Sequence, residues 1–461
     1  MKQKLLLTTT IIALLGGLPS TQLQAAAPTT NTMSQLIYED TLPNKQSHIV
    51  NAKAITKVYG DGEQLDRILL TYDTPLRSDS LQVEDFTVPN RTITAVSLID
   101  SPDVTNSKNV ATSPYVLLQL SPLPMTSQGA TMSKPTVDAH PEEHTTGQSP
   151  FQGGPKLGSS GNPQPLPTFD TTLAQVGIVK TASDKLILPE KNITTTSTDE
   201  LVIKDFQPGI FVDSAQNNAT LQYNLYIPKD YDPTKKYPLV VFLHDAGTVS
   251  PEVKATLVQG LGAIAFASPE WQANHPSFVL APQYDTVIVN DQYQYGPELD
   301  RTIHLINELA EQYAIDKDRI YNTGQSMGAM ASTQLDINYP DFFAGSYLIA
   351  GKWDDTITAP LGNQNIMALV SAGDPGAKPS FDKIMNNLEA SHHTVVRATV
   401  NPETDLAKAS ETIGDAFTPY SHLYYFTFEG GNHRSTWQYG YSIKPALEWL
   451  FQQKRPASQK R

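Results

Sequence analysis

A sharp change from a strand pattern to a helix pattern occurs at Ser326, and it limits the folds that this chain can adopt. The run at 319–323 is typical of a short buried strand, and it leads into Gly-Gln-Ser-Met-Gly at 324–328. Glycine two residues before and after the serine allows strand and helix to approach closely around a strained backbone angle. Such a turn, the G-x-S-x-G nucleophile elbow, raises the hydroxyl above the sheet and directs the first helix N–H groups at a developing oxyanion. The pentapeptide is common by chance, so the flanking sequence decides what the serine does.

Length and charge exclude several classes of protein. The chain has 461 residues, more than one ordinary hydrophobic core holds, so two or more domains are expected. Hydrophobic residues make up 39% and charged residues 17% of the chain, which suits a soluble globular protein. The net charge of −14 argues against nucleic acid or an anionic membrane surface as a partner.

The first 26 residues have the pattern of a secretory signal peptide. Lys2 and Lys4 precede an apolar run at 5–18, and cleavage is expected near Ala25 or Ala26. A membrane anchor is the alternative, but the run is short for a membrane span. The chain has no cysteine, which excludes a lipoprotein anchor, disulfides and thiol chemistry. We therefore expect a secreted protein, extracellular or periplasmic, with no membrane anchor after cleavage.

Short strand patterns separated by turn signals follow a flexible segment at 27–50. They predict a small all-β sandwich over 51–195. Residues 122–167 are rich in Pro, Gly, Ser and Thr, and we expect a disordered insertion there because too little apolar surface can be buried. His140 and His144 within it are interpreted as solvated polar residues rather than metal ligands, so no metal is predicted. Further strands are predicted at 176–179 and 186–188, and another at 201–203, where the next domain begins.

Strands and helices alternate from residue 200 to 455. An amphipathic helix is predicted at 297–313, among apolar runs typical of strands buried on both faces. The alternation predicts an α/β domain with a mainly parallel sheet, whose chemistry gathers at the carboxyl ends of the strands. Residues 456–461 are expected to form a tail. The main strand runs lie at 237–243, 278–281, 345–350, 366–370 and 423–428.

A serine hydroxyl needs a base to act as a nucleophile, and the base needs an acid that orients it. In an α/β-hydrolase these follow in the order serine, acid, histidine, each just after a strand. Asp374 follows the run at 366–370 and is the predicted acid, although an aspartate before proline is also a common turn residue. The rival acids are Asp354 and Asp355, after the preceding strand, and Asp382, on a predicted helix.

His433 follows the last strand run, where the same order places the base. It would take the proton of the serine and later protonate the leaving group. The alternative is an ordinary surface-loop histidine, since the chain has ten histidines. His392 and His393 are weaker candidates because they lie in a predicted connection between a helix and a strand.

The loop at 243–247 follows a strand run and is predicted to form an oxyanion hole. Its backbone N–H groups and that of Met327 are expected to converge on the developing oxyanion. His244 in this loop is interpreted as a residue that orders the loop and not as a catalyst.

Several segments resemble the esterase family that includes polyhydroxybutyrate depolymerase-like and feruloyl esterase-like enzymes, many of them known as predicted peptidases. The likeness covers about 200–455, and some relatives carry an immunoglobulin-like domain ahead of the hydrolase, similar to the strand pattern before residue 195. The matching segments are Tyr-Pro-Leu-Val-Val-Phe-Leu-His at 237–244, Ala-Phe-Ala-Ser-Pro-Glu-Trp at 265–271, Val-Leu-Ala-Pro-Gln at 279–283, Asp-Arg-Ile-Tyr at 318–321 with the elbow, and His433 with Thr436 and Trp437.

The resemblance implies an α/β-hydrolase fold behind an immunoglobulin-like sandwich. It implies that Ser326, Asp374 and His433 form a catalytic triad. It also implies that Ala246 and Met327 supply the oxyanion N–H groups.

The oxyanion loop departs from the family, which usually reads His-Gly-x-Gly where this chain has Asp245 in place of the first glycine. If the position needs a positive φ, aspartate accepts it less readily than glycine. A carboxylate near the oxyanion would also oppose its charge unless it pointed away or were paired. We therefore expect a working enzyme that is slow or selective. Ala329, where many relatives have glycine, is a milder change.

These motifs predict a secreted serine esterase that forms an acyl-enzyme on an ester substrate, polymeric and plant-derived esters included, without metal or organic cofactor. Two alternatives remain open: peptide-bond cleavage by the same triad, and a surface-binding protein with a weak or inactive hydrolase domain. The sandwich could bind a polymer, cap the site or mediate oligomerisation. Residues expected near the substrate are His244, Asp245, Gln325 and Trp437.

Overall fold

The computed structural model describes residues 47–125, 156–160 and 165–455 of the chain. The predicted signal peptide at 1–26, the segment that follows it up to residue 46, His140, His144 and the tail at 456–461 lie outside these residues. Within the described ranges, no helix is both long enough and apolar enough to cross a membrane.

An all-β domain occupies the first part of the described chain. Its strands are β1 (Ile49–Tyr59), β2 (Gly62–Arg77), β3 (Phe86–Thr87), β4 (Ile93–Ile99), β5 (Thr112–Leu120), β6 (Thr172–Gln175), β7 (Val179–Lys180), β8 (Leu186–Ile187), β9 (Glu190–Thr194) and β10 (Ser197–Glu200). Among the described residues they form sheets in the orders β10-β1-β2-β5-β4, β3-β6-β9 and β7-β8. Both faces of β2 are buried at its centre, because Ile68 and Leu70 belong to one core cluster and Leu69 belongs to another.

The observed boundaries of this domain differ from the predicted 51–195. β1 begins at Ile49, and β10 pairs in parallel with β1, so the domain extends to Glu200. The predicted strand at 201–203 is wrong, because these residues form a turn in which Val202 has a φ of 69°. The predicted strand at 176–179 is wrong for most of its length, since β6 ends before it and β7 begins at its last residue. Tertiary pairing overrode the strand preference of these short apolar segments.

The predicted disordered insertion at 122–167 is wrong near its carboxyl end. The N–H of Gly158 donates to the carbonyl of Val287 at 2.8 Å, and the N–H of Val287 donates to the carbonyl of Ser159 at 2.8 Å. Leu166 packs against the core of the second domain. The segment has too few apolar residues for a core of its own, but another domain provides its partners.

The second domain is an α/β domain. Its strands are β11 (Phe206–Asp213), β12 (Ala219–Tyr226), β13 (Tyr237–Leu243), β14 (Phe278–Gln283), β15 (Ile315–Gln325), β16 (Gly345–Ile349), β17 (Ile366–Ser371), β18 (Val395–Val400) and β19 (Leu423–Phe428). In the described residues they form one sheet in the order β11-β12-β14-β13-β15-β16-β17-β19-β18. β12 pairs antiparallel with both of its neighbours, and the other pairs are parallel. All of β13, β14 and β17 is buried, because elements cover both faces of the sheet.

Helices connect these strands. They are α1 (Ala255–Val258), α2 (Leu261–Ala267), α3 (Pro269–Gln272), α4 (Glu298–Gln312), α5 (Met327–Asn338), α6 (Ala377–Ala390), α7 (Leu406–Ala416), α8 (His433–Gly440) and α9 (Lys444–Gln452). α4 lies within one residue of the predicted helix at each end, and Leu299, Ile303 and Ile306 are on its buried face. α5 is buried over most of its length because it packs on the sheet directly behind the elbow.

The two domains pack as one compact unit from His48 onward. Val58, near the end of β1, is 2% exposed and belongs to the apolar core of the second domain. Lys254, just before α1, donates to the carboxylate of Glu200 in β10 at 2.6 Å. The two domains are therefore joined by core packing and an ion pair, and not by the connecting chain alone.

Candidate active site

Ser326 lies at the junction of β15 and α5, where the chain turns without a connecting loop. Its φ of 53° and ψ of −117° lie outside the regions that L-residues favour. Backbone strain of this kind costs on the order of 1–3 kcal/mol, so the surrounding structure must hold it. The N–H of Ser326 donates to the carbonyl of Ile349 in β16 at 2.9 Å, which fixes the turn to the neighbouring strand.

Two glycines allow strand, turn and helix to pack this tightly. A Cβ atom added to Gly328 would lie 1.9 Å from the carbonyl oxygen of Leu243, at the end of β13. A Cβ atom added to Gly324 would lie 2.5 Å from the carbonyl carbon of Gly328. Both obstacles are backbone atoms inside the core, so neither can shift cheaply and both positions require glycine.

Three side chains from three parts of the chain form a continuous series of hydrogen bonds. Ser326 Oγ lies 2.8 Å from His433 Nε2, and His433 Nδ1 lies 2.5 Å from Asp374 Oδ2. Because a carboxylate oxygen accepts, Nδ1 carries the proton and Nε2 presents a lone pair to the serine hydroxyl. The side chain of His433 is 43% exposed and that of Asp374 is 3% exposed, so a substrate can reach the imidazole but not the acid.

Asp374 is held as a charged group. Burial acts to raise the pKa of its carboxyl. That pKa is nevertheless lowered, because the hydrogen bond from His433, the charge of that ring and the N–H groups of Ala377 and Gly376 together outweigh burial. The two N–H groups donate to Oδ1 at 3.0 and 2.9 Å, which leaves Oδ2 for the imidazole. The carboxylate therefore keeps one orientation and one charge state at neutral pH.

His433 is the first residue of α8, and its position depends on the cap of that helix. Asn432 Oδ1 accepts from the N–H groups of Arg434 and Ser435 at 2.9 and 3.1 Å, and Ser435 Oγ accepts from the N–H of Asn432 at 2.7 Å. The ring of Trp437, one turn further, packs edge-on against the imidazole at 5.0 Å between centroids. Trp437 is 4% exposed, so it supports the imidazole and presents little surface to a substrate.

Asp245 does not have the positive φ that replacement of a glycine suggested. Its φ is −74°, and its Oδ1 accepts from the N–H of Gly247 at 2.8 Å, as the cap of a short 3-10 helix at Ala246–Thr248. Its Oδ2 accepts from Gln325 Nε2 at 2.9 Å and from Thr248 Oγ1 at 3.2 Å. The carboxylate is thus hydrogen-bonded through both oxygens, and it connects the loop at 243–247 to Gln325, the residue before Ser326.

The N–H groups of Ala246 and Met327 belong to the first residues of their helices. First-turn N–H groups have no acceptor within a helix and carry its partial positive charge. They are therefore suited to an oxyanion. His244, beside them, is fully buried: its Nδ1 donates to the carbonyl of Asp245 at 2.8 Å, and its Nε2 accepts from the N–H of Tyr284 at 3.0 Å. Burial lowers the pKa of His244, which keeps the ring neutral and the loop fixed.

Comparison with known proteins bears on the fold. Residues 51–188 match the model of the esterase immunoglobulin-like N-terminal domain. The crystal structure of a thermostable esterase aligns over 88% of this chain and 100% of its own, with a TM-score of 0.69 and 24% identity. The chain is an α/β-hydrolase fold preceded by an immunoglobulin-like domain. Both parts of the predicted fold class are confirmed.

Other solved structures are similar to a smaller share of the chain, with lower TM-scores. A ferulic acid esterase from Anaeromyces mucronatus aligns over 53% of this chain and 88% of its own, with a TM-score of 0.36 and 14% identity. An S-formylglutathione hydrolase from Staphylococcus aureus aligns over 53% of this chain and 98% of its own, with the same TM-score and identity. No curated protein matches the sequence.

The rival acids are engaged elsewhere in the hydrolase domain. Asp354 Oδ1 accepts from the N–H of Thr356 at 3.0 Å, and Asp355 Oδ2 accepts from Asn387 Nδ2 at 3.1 Å. Asp382 pairs with Lys378 at 2.6 Å. Of the rival histidines, His392 occupies an exposed turn with a φ of 69°.

Gln259 is a member of the hydrolase site that the sequence analysis missed. Its Oε1 accepts from Thr248 Oγ1 at 2.8 Å and from Gln325 Nε2 at 3.0 Å, so it connects the short helix at Ala246–Thr248 to the residue before Ser326. It lies between two short helices, and no motif surrounds it. A buried glutamine of this kind carries no sequence signal, because its partners are distant in the chain.

Proposed function

We propose that this α/β-hydrolase is a secreted serine esterase. The observation that carries the proposal is the series Ser326–His433–Asp374, with distances of 2.8 and 2.5 Å, at the carboxyl ends of β15, β17 and β19. A nucleophile, a base and an orienting acid in this geometry are the requirements of acyl transfer. The esterase-type N-terminal domain favours ester substrates over peptides.

In the first half-reaction Ser326 Oγ attacks the ester carbonyl carbon. His433 Nε2 accepts the hydroxyl proton as the new bond forms, and the carbonyl oxygen becomes an oxyanion. The imidazolium then donates that proton to the oxygen of the leaving alcohol, and an acyl-enzyme remains on Ser326. Asp374, ionised because its pKa is lowered, stabilises the imidazolium between the two proton transfers.

Two backbone N–H groups are the proposed donors to the oxyanion. The N–H of Met327 lies at the start of α5, and that of Ala246 at the start of the short helix that Asp245 caps. Preorganised donors of this kind stabilise the charge that forms only in the transition state. In the second half-reaction a water molecule gives a proton to His433 Nε2 and attacks the acyl carbon. The bond from that carbon to Ser326 Oγ then breaks, the imidazolium returns the proton to Oγ, and the acid leaves.

The test is hydrolysis of a short-chain p-nitrophenyl ester by the wild-type protein and by Ser326→Ala. Loss of the nucleophile should lower kcat by roughly a million-fold, because the triad acts as a unit. A fluorophosphonate probe should label the wild-type protein and leave the variant unlabelled. Activity that survives in the variant would refute the nucleophile, and a wild-type protein that neither turns over nor reacts with the probe would favour a binding role.

Substrate range needs a separate measurement. The same preparation should be assayed with esters and with the matching amides, since one triad can cleave both. We expect ester hydrolysis to dominate. A panel that varies the acyl length and the alcohol, with polymeric and plant-derived esters among its members, would then define the substrate class.

A further inference from the structure

The tip of the β1–β2 hairpin of the immunoglobulin-like domain lies between two backbone segments of the hydrolase domain. Gly60 and Asp61 form this tip. A Cβ atom added to Gly60 would lie 2.1 Å from the carbonyl oxygen of Gln438 in α8. On the other side, a Cβ atom added to Gly260 would lie 3.2 Å from the carbonyl oxygen of Gly60. The contact is therefore made by backbone at close range, which only glycine permits.

The hairpin is polar in sequence but buried in the structure. Asp61 is 1% exposed and Glu63 is 3% exposed. Asp61 Oδ1 accepts from Gln64 Nε2 at 3.0 Å, and Glu63 Oε1 accepts from Thr56 Oγ1 at 2.5 Å. Hydrogen bonds between buried polar side chains favour one geometry, because a shift of the hairpin would break them. The hairpin is thus a rigid element.

One side of the hairpin supports the helix that carries the proposed base. α8 begins at His433, and the Gln438 backbone that Gly60 contacts follows Trp437, whose ring packs on the imidazole. The same carboxyl-terminal turn of α8 is also held by the sheet, where Tyr347 Oη donates to the carbonyl of Gly440 at 3.0 Å. α8 is therefore held by the sheet at one point and by the other domain at another.

The other side of the hairpin contacts Gly260, which is next to a network of hydrogen bonds that leads to the loop at 243–247. Gly260 follows Gln259, which accepts from both Thr248 and Gln325. Gln325 in turn donates to Asp245, the cap of the helix that begins at Ala246. A displacement at Gly260 would therefore reach the proposed oxyanion donors through two hydrogen bonds.

We infer that Gly60 is a positioning residue for the active site. Through its β1–β2 hairpin, the immunoglobulin-like domain sets the position of α8, which carries His433, relative to the hydrogen-bond network of Gln259, Gln325 and Asp245. The inference rests on the proposed esterase function. It assigns the N-terminal domain a role in the rate of the chemical steps. A Cβ atom at residue 60 must move α8 or the hairpin, and the imidazole moves with α8.

The experiment compares Gly60→Ala with a matched variant, Gly177→Ala. A Cβ atom at Gly177 meets Asp85 of the same domain, so this substitution strains the immunoglobulin-like domain without contacting the hydrolase domain. Active sites are counted by fluorophosphonate titration, and kcat is expressed per titrated site. For Gly60→Ala we expect kcat per site to fall on the order of tenfold to a hundredfold with KM within about threefold, because small displacements of catalytic groups carry this penalty. For Gly177→Ala we expect wild-type kcat per site.

The outcomes separate positioning from folding. If Gly60→Ala loses active sites but each remaining site keeps wild-type kcat, the hairpin only stabilises the fold and the inference is wrong. If Gly177→Ala lowers kcat per site equally, the effect is not specific to the hairpin, and the inference also fails. Failure of the esterase proposal itself would appear earlier, as a wild-type protein without ester hydrolysis or probe labelling. Gly260→Ala, with its looser 3.2 Å contact, should give an intermediate loss.

Discussion

Two buried carboxylates of the α/β domain have pKa values that move in opposite directions. Asp374, in the loop after β17, is 3% exposed, and its pKa is lowered although burial acts to raise it. Asp336, in the last turn of α5, is fully buried, and burial raises its pKa to about 7. Both side chains are nearly inaccessible to solvent, but Asp336 is enclosed more completely by protein atoms, so its carboxyl loses more hydration than that of Asp374.

The partners of the two carboxylates add to the difference. Asp374 faces an imidazole that can carry a charge and accepts from two N–H groups. Asp336 Oδ1 accepts from Ser346 Oγ at 2.8 Å and Asn322 Nδ2 at 3.3 Å, both neutral, and within the described structure its Oδ2 has no hydrogen-bond partner. A cationic partner compensates the loss of hydration, and neutral hydroxyl and amide groups do so only in part.

The largest effect is expected for Asp374→Asn. The amide would place an N–H where Oδ2 now accepts from His433, and this would favour the tautomer that cannot take the serine proton. We expect kcat for ester hydrolysis to fall on the order of ten-thousandfold. Asp382→Asn is the matched control, because Asp382 lies nearby in α6 and pairs with Lys378. A loss below about tenfold in Asp374→Asn, or an equal loss in the control, would contradict the assignment of the acid.

Asp336→Asn should change stability and leave catalysis nearly unaltered. The pKa of Asp336 is raised in the folded state, so the folded protein keeps a proton that the unfolded chain releases between about pH 4 and 7, and stability falls as the pH rises through that window. Asparagine does not titrate. We therefore expect the free energy of unfolding of the variant, relative to wild type, to rise by roughly 2–3 kcal/mol from pH 5 to pH 8.

Urea denaturation at both pH values measures this difference. Asp374→Asn is the control, because the pKa of Asp374 shifts in the opposite direction on folding. The pKa of Asp374 is lowered on folding, so its contribution is complete above the unfolded pKa and is lost as the pH falls through the folded value, below the ordinary range. Its substitution should give no such rise between pH 5 and pH 8. A pH-independent difference for Asp336→Asn would show that Asp336 does not titrate in this window.

Asp245 is a third carboxylate and should give the smallest effect. It is partly exposed and accepts from neutral donors, among them Gln325 and the N–H of Gly247. Asp245→Asn would set an amide N–H against Gln325 Nε2 and loosen the loop. We expect kcat to fall roughly threefold to tenfold, the value of about one hydrogen bond. A rise in kcat would instead mean that the carboxylate opposes the oxyanion, as the sequence first suggested.

The sequence was most informative where function depends on local backbone. Gly324 and Gly328 marked the elbow because a turn of this tightness excludes a Cβ atom, a requirement visible in five residues. Asp374 and His433 were selected because buried strands are recognisable and residues after parallel strands share one edge of the sheet. The structure brings both side chains into the hydrogen-bonded series with Ser326. Their catalytic role stays a prediction.

The sequence was least informative where a residue depends on distant partners. Asp245 suggested strain or repulsion, because neither its cap geometry nor its contact with Gln325 can be seen in the chain around it. Gln259 gave no signal for the same reason. Residues 158 and 159 were assigned to a disordered insertion on composition, and their partner Val287 lies in the other domain. Val202 had a strand preference that tertiary pairing overrode.

The parallel pairing of β10 with β1 has a consequence for how the chain reaches its fold. β1 and β2 are adjacent in sequence, so they can pair early in folding. The other edge of β1 pairs with β10, with Lys53 opposite Ser197, and nearly all of the domain lies between these two strands in sequence. An open strand edge is a site of mispairing, and closure of a long loop is slow. The stretch between β5 and β6 lies inside that loop. Its length should therefore affect the speed of folding more than the stability of the finished protein, because loop entropy grows only with the logarithm of length.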